Sequence, residues 1–212
     1  VEHKLIPSIG RIRGVAEIDL IREFKVRTLP LLPHEPRNQW ETLAIAQHHG
    51  LPTRFLDWSF SPLVALYFAT LPTLDVEGKL KQAVSDAAVY AFHACDVVDI
   101  EVVPDPLSVC EVTLYSPPHL SPRIPNQRGI FSIQPDPQRP MEEQLPKSLN
   151  DSDEFDLKKI VIPKDVIYQI QKQLYLLGIR HGSLFSDIDG HAAELKMRHH
   201  FACSHTHREA LS

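Results

Sequence analysis

The side chains able to do chemistry crowd into residues 47–61, QHHGLPTRFLDWSFS. Gln47, His48 and His49 come first, Arg54 and Asp57 then place opposite charges three residues apart, and Ser59 and Ser61 follow. Arg54 and Asp57 stand just ahead of an apolar segment that begins at Pro62. If that segment is a helix, its unpaired N–H groups and dipole favour an anion such as phosphate or diphosphate. The plain alternative is an ion pair that pins the turn. Adjacent histidines project about 100° apart on a helix, so His48 and His49 do not readily share one metal ion. No HxxxH spacing accompanies them, and one of the two is expected to join a polar pocket instead.

Two other clusters carry donor types without the matching spacing. His199, His200, Cys203, His205 and His207 include zinc-binding types, yet no paired CxxC precedes them, and they read as a terminal tail. Asp187 and Asp189 before Gly190 form a fragment of a calcium-loop pattern and read as a turn. The chain has no GxSxG, no phosphate-binding Gly-rich loop and no dinucleotide fingerprint.

The elements that must position the reactive stretch follow from periodicity and punctuation. Ile18, Ile21 and Phe24 share a helical face, predicting a short amphipathic helix over Ile18–Val26, followed by a proline-punctuated connector over 29–36. Asn38, with Glu41 three residues on, opens a second helix in which each side chain can satisfy the other's backbone donor, and Gly50 closes it. Gln47, His48 and His49 thus occupy its last turn. LPTRFLDW reads as a loop; Ser61 then caps a helix over Pro62–Ala69 that has no polar face and is expected to be buried on nearly all sides.

Further on, β-branched runs predict strands over Ala88–His93, Val97–Val103, Val109–Tyr115, Gly129–Ile133, Leu157–Ile162 and Ile179–Phe185. Proline-rich residues 117–125 approach Gln127 and the Gly129 strand. Residues 135–156, with further prolines and the acidic run Asp151–Glu154, read as a surface insertion. Val166, Ile167, Ile170, Leu174 and Leu177 recur at helical spacing before Gly178, and Ala192–Phe201 is helix-compatible. The expected fold is α+β: a single domain over 1–198, with N-terminal helices followed by a mostly antiparallel sheet, and a His-rich tail over 199–212.

With 212 residues, 43% apolar and 23% charged, the composition is globular. The net charge of −5, without a basic block, argues against an extended nucleic-acid face. No apolar run reaches membrane-span length and no signal-peptide order opens the chain. Three widely spaced cysteines fit a reducing, cytoplasmic setting. The chain begins at Val1 rather than Met, so upstream sequence is expected.

WETLAIAQHHGLPTRFLDWSFSPLVALYFA resembles the core of the FRG domain, a bacterial family named for a Phe-Arg-Gly motif. LIPSIGR, NQRGIF and LFSDIDGHAAEL are similar to its other pieces, in the same order along the chain. The aromatic-Arg-Gly motif expected ahead of LIPS is not present here; Arg13-Gly14 follows it instead, preceded by Ile12. By analogy the plan resembles ADP-ribosyltransferases and their split sheet. That resemblance implies a Ser-containing stretch running into a helix, here Ser59 and Ser61 with Ala65, Phe68 and Ala69, and a late polar residue, here Gln127. It implies NAD as substrate, with Gln47, Arg54, Ser59 and Ser61 binding it. Arg54 takes the phosphate, Ser61 orients a neighbour, Gln127 holds the ribose, and Asp57 pairs Arg54 or meets transition-state charge; His48 completes the catalytic set. The macromolecular target of any transfer is not written in these residues, and toxin-like or phage-defence roles come from the resemblance alone. A non-catalytic nucleotide- or protein-binding module and a metal-assisted hydrolase remain open beside this reading.

Overall fold

The computed structural model describes residues 4–94, 96–118, 126–145 and 155–201. Its helices are α1 (Glu17–Thr28), α2 (Gln39–His48), α3 (Pro62–Ala69), α4 (Lys164–Leu176), α5 (His181–Leu184) and α6 (Ile188–Phe201). Its strands are β1 (Phe55–Ser59), β2 (Ala87–Ala94), β3 (Thr113–Tyr115), β4 (Gly129–Ile133) and β5 (Phe155–Ile162). Antiparallel sheet and helices make the fold α+β. The chain divides into two compact units, Val1–Phe60 with Tyr90–Lys159, and Ser61–Val89 with Ile160–Ser212. No helix among the described residues is long and apolar enough to cross a membrane.

In the first unit, β1, β4 and β3 form a three-stranded antiparallel sheet in that order. LPTRFLDW, expected as a loop, contributes β1, because β4 supplies a partner that local composition does not reveal. Phe55 and Asp57 share a face of β1. Asp57 stands opposite Phe131, which stands opposite Tyr115, so the three residues form one cross-strand row. On this face Phe55 stacks on Phe131 with centroids 4.7 Å apart and on Tyr115 at 5.7 Å. Trp40 of α2 meets Tyr115 at 4.8 Å and donates its indole N–H to the Val103 carbonyl at 2.8 Å. Each such aromatic pair contributes about 0.5–1.5 kcal/mol beyond its buried area.

Helix α2 begins where Asn38 Oδ1 accepts from the Glu41 N–H at 2.9 Å. The expected reciprocal bond gives way to another: the Glu41 carboxylate accepts from the Arg37 N–H at 2.8 Å and from Arg37 Nε at 2.7 Å. A charged donor outcompetes the neutral Asn38 amide. Gly50, at φ +80°, turns the chain out of the helix in a conformation other residues resist.

Arg54 does not pair with Asp57. Its backbone N–H and its Nε reach the two carboxylate oxygens of Glu17, each at 2.7 Å, tying the start of α1 to the start of β1. The side chains are only 10% and 6% exposed. Glu17 lies just outside the amphipathic pattern that marks α1, so sequence spacing does not single it out.

Local polar turns replace one predicted strand of this unit and shorten another. After a single bridge from Val97 to Leu114, Asp99 accepts from the Glu101 N–H at 2.9 Å, and its carbonyl takes the Val103 N–H at 2.9 Å. Asp105 likewise accepts from Leu107 at 2.9 Å and opens a 3-10 turn over Pro106–Ser108, which shortens the next strand to Thr113–Tyr115. These side chains offer the backbone an alternative to the ladder. Residues 135–145, expected within a surface insertion, are packed: Met141 is fully buried and donates its N–H to the Leu5 carbonyl at 2.9 Å. Pro146 and the acidic run 151–154 lie outside the described residues, as do Cys203, His205 and His207.

In the second unit, Ser61 caps α3 by accepting from the Val64 N–H at 3.4 Å. Val64 and Tyr67 pack with Leu174 of α4 and Leu184 of α5. Burial of α3 is one stripe rather than all round, since Leu63 and Phe68 are 39% and 41% exposed. Ile179–Phe185, predicted as a strand, holds α5, whose first turn is fixed where the Arg180 N–H donates to the Ser183 hydroxyl at 3.0 Å. Asp187 accepts from the Gly190 N–H at 2.7 Å, making SDIDG the start of α6. A Cβ on Gly190 would lie 1.8 Å from the Phe185 carbonyl oxygen.

Glu17→Ala, which strands the Arg54 guanidinium in the interior, is expected to destabilise the protein by about 3–5 kcal/mol in urea denaturation. Replacing both partners by methionine is expected to cost much less, because no unpaired charge remains. Gly190→Ala forces backbone movement between α5 and α6 and lowers the melting temperature.

Candidate functional site

The reactive stretch is divided by the fold. Gln47, Asp57, Ser59 and Gln127 belong to the first unit, whereas Ser61 belongs to the second as the cap of α3. Arg54, assigned to phosphate by the resemblance, is turned inward onto Glu17, with NH1 also reaching the Leu107 carbonyl at 3.4 Å. An arginine so held is a structural tie rather than an anion receptor, because freeing it strands the Glu17 carboxylate.

Asp57 is held by a relay of neutral groups. Gln47 Nε2 donates to Asp57 Oδ2 at 2.6 Å, and the buried Thr53 hydroxyl donates to Gln47 Oε1 at 2.6 Å, which sets the orientation of the amide. The Thr53 oxygen in turn accepts from the Phe55 N–H at 3.1 Å. Gln47 stays in reach because α2 ends one residue later, at His48, and Gly50 then turns the chain. Asp57 keeps an exposed edge, yet it lies on the aromatic face of the sheet, on an outer strand. The surrounding mass pushes its carboxyl above the ordinary value, while the Gln47 amide and a backbone N–H pull it down less strongly. The result is an accessible carboxyl that holds its proton more tightly than usual.

Ser59 donates to the backbone carbonyl of Gln127 at 2.6 Å. Gln127 lies just ahead of β4 rather than on it. The ring of His48 meets that of His49 edge to face at 5.0 Å. Among the described residues no group of three His, Cys, Asp or Glu side chains is arranged to hold a metal ion.

The first unit also contains an open cavity of about 1060 Å³ whose lining includes Arg37, Glu41, Phe60, Tyr115 and Arg128. Of its lining, the sequence marks Asn38 and Glu41 as the opening of a helix, Tyr115 as the end of a strand, and Arg128 and Gly129 within NQRGIF. Burial and the neighbouring Glu41 charge push the Tyr115 hydroxyl up to about 12, so it remains a donor at neutral pH. Glu41 is subject to burial, which raises it, but the Arg37 hydrogen bonds and charge hold it below the ordinary carboxylate value.

Among curated proteins and among solved structures, nothing matches this chain. The family model described as the FRG domain matches residues 1–77, a span that includes Glu17, Gln47, Arg54, Asp57, Ser59 and Ser61 and stops short of Tyr115 and Arg128. The segment that carries the Glu17–Arg54 tie and the Asp57 relay, residues 1–77, belongs to the FRG domain family.

Proposed function

We propose that the first unit handles NAD, cleaving the bond between nicotinamide and ribose with release of nicotinamide and transfer of ADP-ribose to water or to another acceptor. The observation that carries this reading is the Asp57 carboxyl: accessible, raised by its surroundings and aimed by Gln47. Breaking the C1′–N bond sends its electron pair to nicotinamide and leaves positive charge on the ribose. A positioned carboxylate stabilises that charge. It also takes the proton from an attacking water or hydroxyl as the new C1′–O bond forms. A raised carboxyl suits proton transfer near neutral pH better than an ordinary one. Asp57 thereby takes the charge-meeting role, and Arg54 is released from the phosphate role. A cytoplasmic site of action and a toxin-like or phage-defence role go with this reading.

A second reading, a non-catalytic binding module, is favoured by the inward-facing Arg54. The two separate cleanly. Incubation of the full chain with NAD is expected to release nicotinamide, detected by chromatography, and Asp57→Asn is expected to reduce the rate by about 100-fold or more. An NAD-dependent rise in melting temperature without nicotinamide release assigns the protein to the binding module.

Stability measurements on the same variant test the electrostatics. Because the folded state raises the Asp57 carboxyl, folding favours its protonated form. That contribution is complete below the ordinary carboxylate range and is lost as pH rises through the folded-state value. Relative to the native protein, Asp57→Asn is therefore expected to gain stability as pH rises above the ordinary carboxylate range, measured by urea denaturation at each pH.

A further inference from the structure

The cavity of about 1060 Å³ has the size of a nucleotide site and presents three features that the fold itself leaves unused. The first is Arg128. It is the one non-glycine among the described residues with positive φ, at 48°, and its guanidinium forms no ion pair among them. Glycine meets such a backbone without cost, so a large cation held there is a functional signal rather than a folding one. The second is Phe60, 71% exposed although aromatic. Its N–H donates to the Arg128 carbonyl at 3.1 Å, so the ring and the guanidinium are carried by adjacent, mutually pinned backbones at the end of the β1–β4 ladder. The third is the Tyr115 hydroxyl, buried in a residue only 3% exposed and without a hydrogen-bond partner among the described residues.

An unmet buried hydroxyl is costly where it serves only structure. Nearby Glu41 does not meet it, being engaged by the Arg37 backbone and side chain. Glu41 also offsets the Arg37 charge, which leaves Arg128 as the cation available to a ligand. Asp99 and Glu101 add acceptors to the lining. A cation, a flat aromatic face, a buried donor and carboxylate acceptors match, in turn, a phosphate, a base, a ring acceptor and ribose hydroxyls.

We infer that this cavity binds a nucleoside diphosphate, with Arg128 holding the phosphates, Phe60 facing the base and Tyr115 donating to an acceptor on the ligand. The choice of nucleotide rests on the NAD reading, in which the cavity takes the ADP half. Asp57 and Tyr115 are separated by one intervening strand, roughly 10 Å at ordinary strand spacing, within the span of a dinucleotide.

The test is calorimetric titration of the full chain with ADP, adenosine and inorganic phosphate, with melting temperature recorded for each variant. ADP is expected to bind, with adenosine weaker by about ten-fold or more and phosphate alone giving no heat. Arg128→Gly and Tyr115→Phe are each expected to weaken ADP about ten-fold or more, with melting temperatures equal to or above that of the native chain. Arg128→Gly relieves the backbone, and Tyr115→Phe removes only the unmet hydroxyl. ADP binding that neither variant alters overturns the inference, as does phosphate binding as tightly as ADP or native protein that binds no ADP. Should Tyr115→Phe lower the melting temperature, its hydroxyl is structural and Arg128→Gly decides. Nicotinamide release without ADP binding overturns this inference alone; ADP binding that depends on Arg128, without nicotinamide release, overturns the cleavage reading alone.

Discussion

The buried tie between Glu17 and Arg54 is the constraint on which the first unit depends. One carboxylate satisfies both a backbone N–H and a guanidinium, so the start of α1 and the start of β1 are fixed together. Strand β1 can then pair with β4 in only one useful register, because a slip of one residue would turn Phe55 and Asp57 away from the aromatic face. In the observed register Phe55 joins Trp40, Tyr115 and Phe131 in the core, and Asp57 comes to lie at the edge of that core. The position of the Asp57 carboxyl is thus a consequence of a buried ion pair between two other residues.

The same logic explains which parts of the fold were legible in the sequence. Helices with their own signals were: Asn38 and Gly50 bracket α2, Ser61 and Pro62 open α3, and the apolar spacing over 166–177 marks α4. The strands Ala87–Ala94, Gly129–Ile133 and Phe155–Ile162 also follow their β-branched composition. What failed were runs whose fate is decided by partners or by one polar side chain. FLDWS has the charges of a loop and becomes a strand because GIFSI lies beside it. Val97–Val103 has the composition of a strand and becomes a turn because Asp99 captures the neighbouring N–H groups. In both places a side-chain or long-range hydrogen bond outweighs a propensity worth only about 1 kcal/mol.

At the site, residue types were easier to foresee than pairings. Opposite charges three residues apart invite an Arg54–Asp57 pair, but on a strand that spacing puts the two side chains on opposite faces. Arg54 therefore meets a partner on the interior side, and Asp57 is left to a neutral amide. That substitution matters chemically. A guanidinium beside Asp57 would have pulled its carboxyl down, whereas its surroundings, offset less strongly by the Gln47 amide and a backbone N–H, leave it raised.

Glu41 and Asp57 make the point by contrast, since both carboxylates border the same aromatic core. Glu41 is nearly sealed but sits beside Arg37 at the start of α2, and its carboxyl is held down; Asp57 is more open and pairs with no cation among the described residues, and its carboxyl is held up. Exposure alone would order the two the other way, so the identity of the hydrogen-bond donor decides the protonation behaviour. Glu41 thus remains an anion committed to Arg37, and the aromatic row from Asp57 through Phe131 to Tyr115 joins a carboxyl that holds its proton more tightly than usual to a phenol that keeps its own.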